Sequence, residues 1–236
     1  MIATPFAFSI YDRLVAPLFA AEEMRPFDEI DEPGNPVIIA GFGRFGQIVG
    51  RILRSRGIPF TAIEASAAQV DFVARFGSKI YYGDASRLDL LRAAEADKAR
   101  AFVLAIDNPE ASVRTAEMVR RHFPDLPIFA RARNRQHAFR LMDLKVTLLV
   151  RETLYSSLFL TEHLLEALGL APEDAEKTVA RFREHDQATL LAQHAIYTDE
   201  KQLIQTTVQA AQELRSLFEA DREKTESEET GERAAE

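Results

Sequence analysis

Val37-Ile-Ile-Ala40, followed directly by Gly41-Phe-Gly-Arg-Phe-Gly46 and then by a helical pattern from Gln47 to Arg56, decides the fold of this 236-residue chain. An apolar run of this kind matches a buried parallel strand, the G-x-G-x-x-G spacing makes a tight turn, and the run behind it begins a helix. Such a turn aims backbone N–H groups and the positive end of a helix dipole at a phosphate. Gly41 permits the turn, Gly43 keeps side chains out of the phosphate path, and Gly46 lets helix and strand pack closely. The spacing predicts a dinucleotide or adenine nucleotide held by Gly41, Phe42, Gly43, Arg44, Phe45 and Gly46.

The context agrees with that motif. A second apolar strand, Phe60-Thr-Ala-Ile63, ends in Glu64, close to the distance at which an acidic residue meets a ribose. A carboxylate there accepts two hydroxyl hydrogen bonds and repels the 2'-phosphate of NADP, so the expected ligand is NAD(H), AMP or another unphosphorylated ribose. The alternation continues with a short strand at Lys79-Ile-Tyr-Tyr82, a helix around Leu88 to Ala94, a strand in Ala101-Phe-Val-Leu-Ala-Ile106, a helix from Pro109 to His122 and a strand Ile128-Phe-Ala130. Five strands alternating with helices predict an α/β fold, a Rossmann-like doubly wound parallel sheet with helices on both faces. Ligands of such sheets sit beyond the carboxyl ends of the strands. The residues there are Glu64, Asp84 with Ala85, Asp107 with Asn108, and Arg131. Asp84 and Asp107 have a second possible role as helix caps, and Arg44 as a solvated arginine at a helix start.

The formal net charge of -8 and the lack of a basic stripe argue against nucleic acid as a partner. A content of zero cysteines excludes disulfides, thiolate zinc sites and a cysteine nucleophile, and suits a reducing compartment. The five histidines show no ligand spacing, which predicts no metal site. Ile2 to Ile10 is apolar but far short of the roughly twenty residues that span a bilayer. It fits a small docking helix, an interfacial anchor or the cut end of a longer membrane segment. Ala21 to Pro36 is acidic and rich in proline, a linker composition.

Beyond Arg131-Ala-Arg133 helical patterns dominate. A helix near Gln136 to Met142 and a brief apolar run Val146 to Val150 precede a helix from Thr153 to Leu168, closed by Gly169; Pro172 to His185 begins the next. From Ala188 to about Glu223 one long pattern spaces Leu190, Tyr197, Ile204, Ala211 and Phe218 by sevens, a stripe suited to packing on a neighbouring helix or a second subunit. The charged tail after it has a disordered composition. Tyr197 and Lys201 match Y-x-x-x-K but lie on this appended helix, and no proton-transfer pair accompanies the glycine motif. A nucleotide pocket without catalytic equipment implies sensing and no enzymatic activity.

Several motifs in order carry a family resemblance: Val37-Ile-Ile-Ala-Gly-Phe-Gly-Arg-Phe-Gly-Gln47, Tyr82-Gly-Asp-Ala85, Ala105-Ile-Asp-Asn108, Ala130-Arg-Ala-Arg133 and Arg151-Glu-Thr153. Together they resemble the cytosolic RCK, or TrkA-N, nucleotide-binding domain of Kef-type glutathione-regulated potassium efflux systems, over roughly Pro36 to Leu170. The resemblance implies a regulatory domain at the cytoplasmic face of the bacterial inner membrane. There it would gate the potassium:proton antiporter domain of the same full-length protein through NAD(H) or AMP, as a homodimer formed through helices after the fifth strand. It also implies that Ile2 to Phe19 is the end of a last membrane helix. Gated members bind glutathione between subunits through an arginine that Arg151 matches, while Asp186 stands where they carry an asparagine. A carboxylate there would repel an anionic tripeptide, so the resemblance leaves a glutathione-like effector open, as it leaves open an ancillary subunit.

The expected division is thus 1–20, a membrane end or docking helix; 21–35, an acidic linker; 36–150, the Rossmann-type domain; 151–223, a mostly helical extension for dimerisation and regulation; and 224–236, a disordered acidic tail. Two other functions stay in view. A soluble regulatory subunit of a Trk-type potassium uptake system would normally start at the glycine motif, and an NAD-dependent oxidoreductase would need a substrate domain.

Overall fold

The computed structural model describes residues 25–235, with side chains through residue 219. The apolar stub from Ile2 to Phe19 lies outside the described residues. Six strands, β1 (Val37–Ala40), β2 (Phe60–Glu64), β3 (Tyr81–Tyr82), β4 (Ala101–Leu104), β5 (Ile128–Ala132) and β6 (Leu148–Arg151), form one sheet in the order β3-β2-β1-β4-β5-β6. Every pair is parallel. The central strand is buried on both faces, with Ile38, Ile39 and Ala40 at 0% exposure, as a parallel sheet covered by helices requires. Ala40 is level with Ile63 on one side and Leu104 on the other, so the loops after β1, β2 and β4 leave from one edge. Strand order reverses between β1 and β4, which makes the crevice there a topological switch point.

Helices α1 (Arg44–Ser55), α2 (Ala67–Ala74), α3 (Leu88–Ala93), α4 (Pro109–His122) and α5 (Arg135–Asp143) alternate with these strands. Successive side chains of a strand face opposite ways, and the core divides accordingly. Ile38, Phe102, Leu104 and Ile128 meet α3, α4 and α5 through Leu91, Val113, Val119, Phe139 and Leu141. Ile39, Ala62 and Val103 meet α1 and α2 through Val49, Leu53, Val70 and Val73. That second layer covers only part of the sheet. Phe129 on β5 and Leu148 on β6, level with each other and with Val103, are 38% and 53% exposed.

The extension consists of α6 (Leu154–Ala167), α7 (Pro172–His194) and α8 (Glu200–Ala235). Two elements, α2 and β6, come in addition to those expected. The single long helix expected from Ala188 is two helices. Asp199 caps α8, its Oδ1 accepting from Gln202 N at 3.1 Å and its carbonyl from Leu203 N at 2.9 Å, and the chain turns at 195–199. The sevenfold stripe is therefore not one seam: Leu190 is buried in the sheet core while Ile204 is 58% exposed. The tail expected to be disordered continues α8 to Ala235, in line with its helix-favouring Glu, Ala, Lys and Arg content.

Candidate functional site

At the carboxyl edge the glycine loop is held tightly on one side and open on the other. Gly41 has φ +89°, and a Cβ there would lie 2.8 Å from the backbone of Ala105 and Ile106, so only glycine fits where β1 passes β4. A Cβ on Gly46 would stand 2.2 Å from the Gly41 carbonyl oxygen, whereas one on Gly43 would meet nothing within 4 Å. Gly43 thus faces open crevice. It is also the N-cap of α1 and supplies no side-chain acceptor, which leaves the first-turn N–H groups without a side-chain cap. This cradle fits an anionic phosphate.

The Phe42 peptide group is fixed from both sides. Its N–H donates to Glu64 Oε2 at 2.7 Å, and its carbonyl accepts from Gln69 Nε2 at 3.1 Å and Gln47 Nε2 at 3.3 Å. The other Glu64 oxygen accepts from Ser66 N at 2.9 Å. Both carboxylate oxygens are bonded to backbone, but each oxygen has a second lone pair, so hydroxyl donors can still be accepted at this half-buried rim. Of the next loop, Asp84 Oδ1 closes a turn by accepting from Ser86 N at 2.9 Å. The Ala85 side chain is 4% exposed and belongs to the core, so only its backbone reaches the crevice. Neither expected aspartate caps a helix; Asn108 caps α4, accepting from Ala111 N at 3.0 Å.

Charges concentrate beside the loop. Arg131 is 2% exposed and lies beneath the Phe45 ring, 5.7 Å from its centroid, with contacts to Asp107, to the Ile106 carbonyl at 3.3 Å and to Glu152 at 3.6 Å. Arg131, expected at the crevice, is thus held beneath Phe45 at the carboxyl edge. Hydrogen bonding from Arg131, with Coulomb attraction to Arg131 and Arg133, holds the Asp107 carboxyl below its ordinary range. Glu152 also faces Arg133 at 3.5 Å and the largely exposed Arg44 at 3.8 Å. Arg133 and Glu152 thus stand beside the loop; both lie in motifs of the family resemblance, but neither was expected as a site residue. Glu152 follows β6, and recognising that strand would have placed it at the edge.

A second chamber lies behind Glu152. Its volume is about 480 Å³, with Arg133, Arg135 and Arg151 at its polar end and an apolar lining that includes Leu158, Phe182 and Phe218. Arg151 and Asp186, the expected effector pair, do come together. Asp186 lies mid-helix in α7, 7% exposed, and is clasped by both Arg151 and Arg135. Arg135 also donates to Gln193 Oε1 at 2.7 Å, and Gln193 Nε2 donates to the Thr207 hydroxyl at 3.0 Å, which ties α5 to α7 and α8. Tyr197 bonds Asp143 at the far end of α5, where His194 joins it at 2.8 Å. α5 starts at the carboxyl edge and runs away from it, so Tyr197 sits apart from the glycine loop. Among the described residues there is no acidic, histidine or cysteine cluster able to hold a metal.

Comparison with known proteins places this geometry. The TrkA-N domain family model matches residues 37–152, and the model described as potassium efflux system KefB C-terminal domain matches residues 156–234. The glutathione-regulated potassium-efflux system protein KefC of Escherichia coli O17:K52:H18 (strain UMN026 / ExPEC) is 44% identical over 183 residues, which is 78% of this chain and 29% of that protein. The chain thus spans less than a third of the length of the curated relatives it matches. Among solved structures, the Kef CTD of Shewanella denitrificans in AMP-bound form is 41% identical with a TM-score of 0.62, covering 68% of this chain and 98% of that one. The GsuK channel bound to NAD is 19% identical with a TM-score of 0.52, covering 68% of this chain and 29% of that one, a likeness of fold alone.

Proposed function

The chain belongs to the family of Kef C-terminal domains, a TrkA-N domain followed by a KefB-type C-terminal domain, and on that premise we propose that it is the regulatory, non-enzymatic nucleotide-binding part of a potassium:proton antiporter. In this reading AMP or NAD(H) lies over the Gly41–Gly46 loop, with pyrophosphate or phosphate at the open side of Gly43 and ribose hydroxyls on Glu64. Asp84, Ala85, Asp107 and Asn108 border the rest. The observation that carries the proposal is the cradle itself, open at Gly43 and closed at Gly41 and Gly46, in a chain that covers 98% of an AMP-bound Kef C-terminal domain.

The transport domain would precede Arg25 in the same full-length protein, placing this part at the cytoplasmic face of the membrane. Nucleotide occupancy would bias that domain between closed and open states. A homodimer would cover exposed apolar surface: α6 has no buried residue, and Tyr155, Phe159, Leu160 and Leu164 on it, with Leu168 just beyond it, are each more than half exposed. The second chamber is the proposed seat of an anionic, glutathione-like effector, although Asp186 already occupies two of its three guanidiniums, those of Arg135 and Arg151.

Isothermal titration calorimetry on the purified chain tests the nucleotide assignment. AMP and NADH should bind, NADPH should bind more weakly because of Glu64, and Gly43→Asp should abolish binding without loss of fold, since its Cβ meets nothing. Equal heats for NADH and NADPH would remove the role of Glu64, and unchanged affinity in Gly43→Asp would place the nucleotide elsewhere.

A further inference from the structure

The segment whose composition marks it as a spacer is bonded along the outer edge of β3. Asp28 N donates to the Tyr82 carbonyl at 2.9 Å, and Asp28 Oδ2 accepts from Tyr82 N at 2.8 Å. Glu32 N donates to the Tyr81 hydroxyl at 3.2 Å, Lys79 bridges Asp31 and Glu32 at 2.7 and 2.9 Å, and Asn35 Nδ2 donates to the Thr61 hydroxyl at 3.0 Å. Residues 25–36 therefore run antiparallel to β3, from the carboxyl edge of the sheet to its amino edge, and pass into β1. With only two residues, β3 is a short edge strand, and this strap takes up its outer N–H and C=O groups.

The strap begins beside the nucleotide crevice. Phe27 lies 5.3 Å from the Tyr82 ring and carries the Arg87 guanidinium over its own face at 5.1 Å. Arg25 stands 5.7 Å over Tyr82 and reaches Asp71 on α2 at 3.1 Å. Tyr82 is followed by Gly83 and Asp84, and Arg87 interacts electrostatically with Asp84. The Tyr82 peptide groups that Asp28 holds are thus one and two residues from the loop that borders the crevice.

We propose that residues 25–36 form a strap whose docking on β3 is thermodynamically linked to nucleotide occupancy, so that the chain preceding Arg25 receives the signal through Asp28, Phe27 and Tyr82. The inference rests on the nucleotide reading above. A ligand that engages Glu64 and Asp84 fixes the Gly83–Asp84 backbone, which lowers the ordering cost of the strap, and a docked strap returns the same advantage to the ligand.

Hydrogen–deuterium exchange on the whole chain, at nucleotide concentrations that calorimetry shows to be saturating, tests the linkage. With AMP the backbone amides of residues 27–32 should exchange more slowly by about fivefold or more, the low end of typical coupling. Phe27→Ala and, separately, Asp28→Ala should weaken AMP binding by a similar factor, as reciprocity demands. AMP that binds with unchanged exchange over 27–32, or affinities within about twofold of the parent in both variants, would overturn the strap and leave the nucleotide site standing. Absence of any binding heat for AMP and NADH in the parent chain would overturn both.

Discussion

Asp186→Ala should cost about 3 kcal/mol of folding stability, the lower end of what removing one partner of a buried ion pair costs. The carboxylate is 7% exposed and is shared by two guanidiniums, so alanine leaves two positive charges facing each other across its place. They are not equally buried: the Arg151 side chain is 13% exposed and the Arg135 side chain 37%. Arg135 also keeps its bond to Gln193 at 2.7 Å, and solvent screens it, so its share is small. The chamber beside Arg151 admits water, which relieves part of the rest. For a chain of this size, about 3 kcal/mol lowers Tm by roughly 6–12 °C. Thermal unfolding followed by circular dichroism measures this directly. The triple variant Asp186→Leu, Arg151→Met, Arg135→Met should recover most of the loss, because an apolar replacement leaves no buried charge unpaired. Asp186→Asn should strengthen glutathione binding by on the order of 1 kcal/mol, since an amide donates and accepts without adding charge. A loss below about 1 kcal/mol in Asp186→Ala, or an equal loss in the triple variant, would refute the view that this carboxylate is a buried counter-ion.

Other outcomes follow from the same coordinates. Light scattering should report twice the chain mass of 26.5 kDa, and Phe159→Asp with Leu164→Asp should return it to the monomer value; a parent that scatters as a monomer at micromolar concentration would remove the dimer. His137 is 2% exposed, and burial with the nearby Arg140 pushes it down to about 4 from an ordinary 6.5. The unfolded chain then binds the extra proton first as pH falls, so stability present above pH 6.5 should be lost between 6.5 and about 4, by up to about 3 kcal/mol. His137→Gln should flatten that part of the pH–stability curve, and an unchanged slope in the variant would assign the loss to other groups.

The half of the chain built on βαβ units was legible because its signals are local. The glycine spacing, the apolar runs around it and the proline at the start of α4 each act within a few residues, and α4 falls where Pro109 and His122 put it. β6 escaped notice because its apolar run sits at a sheet edge with Leu148 turned to solvent, so neither alternation nor continuous burial marks it. With β6 went Glu152. The burial of Arg131 could not be read at all, since it depends on Asp107, Phe45 and Glu152 arriving from three other parts of the chain. The break between α7 and α8 did leave a trace, Asp199 followed at the third position by Gln202, a capping signature that the sevenfold spacing of apolar residues obscured. Asp186 was expected beyond a helix from Pro172 to His185, yet it lies inside α7; its pairing with Arg151, 35 residues away, came from the family resemblance alone, and Arg135, 51 residues away, was not foreseen.

Arg151 and Glu152 are neighbours in sequence at the end of β6, yet one lines the second chamber and pairs with Asp186 while the other joins the arginine cluster of the crevice. Their side chains leave this point of the chain for different partners, Arg151 for Asp186 and Glu152 for Arg131 and Arg133. Arg133, which touches Glu152 and also lines the chamber, is common to both. The two compartments therefore meet at a single peptide bond, the one that joins Arg151 to Glu152.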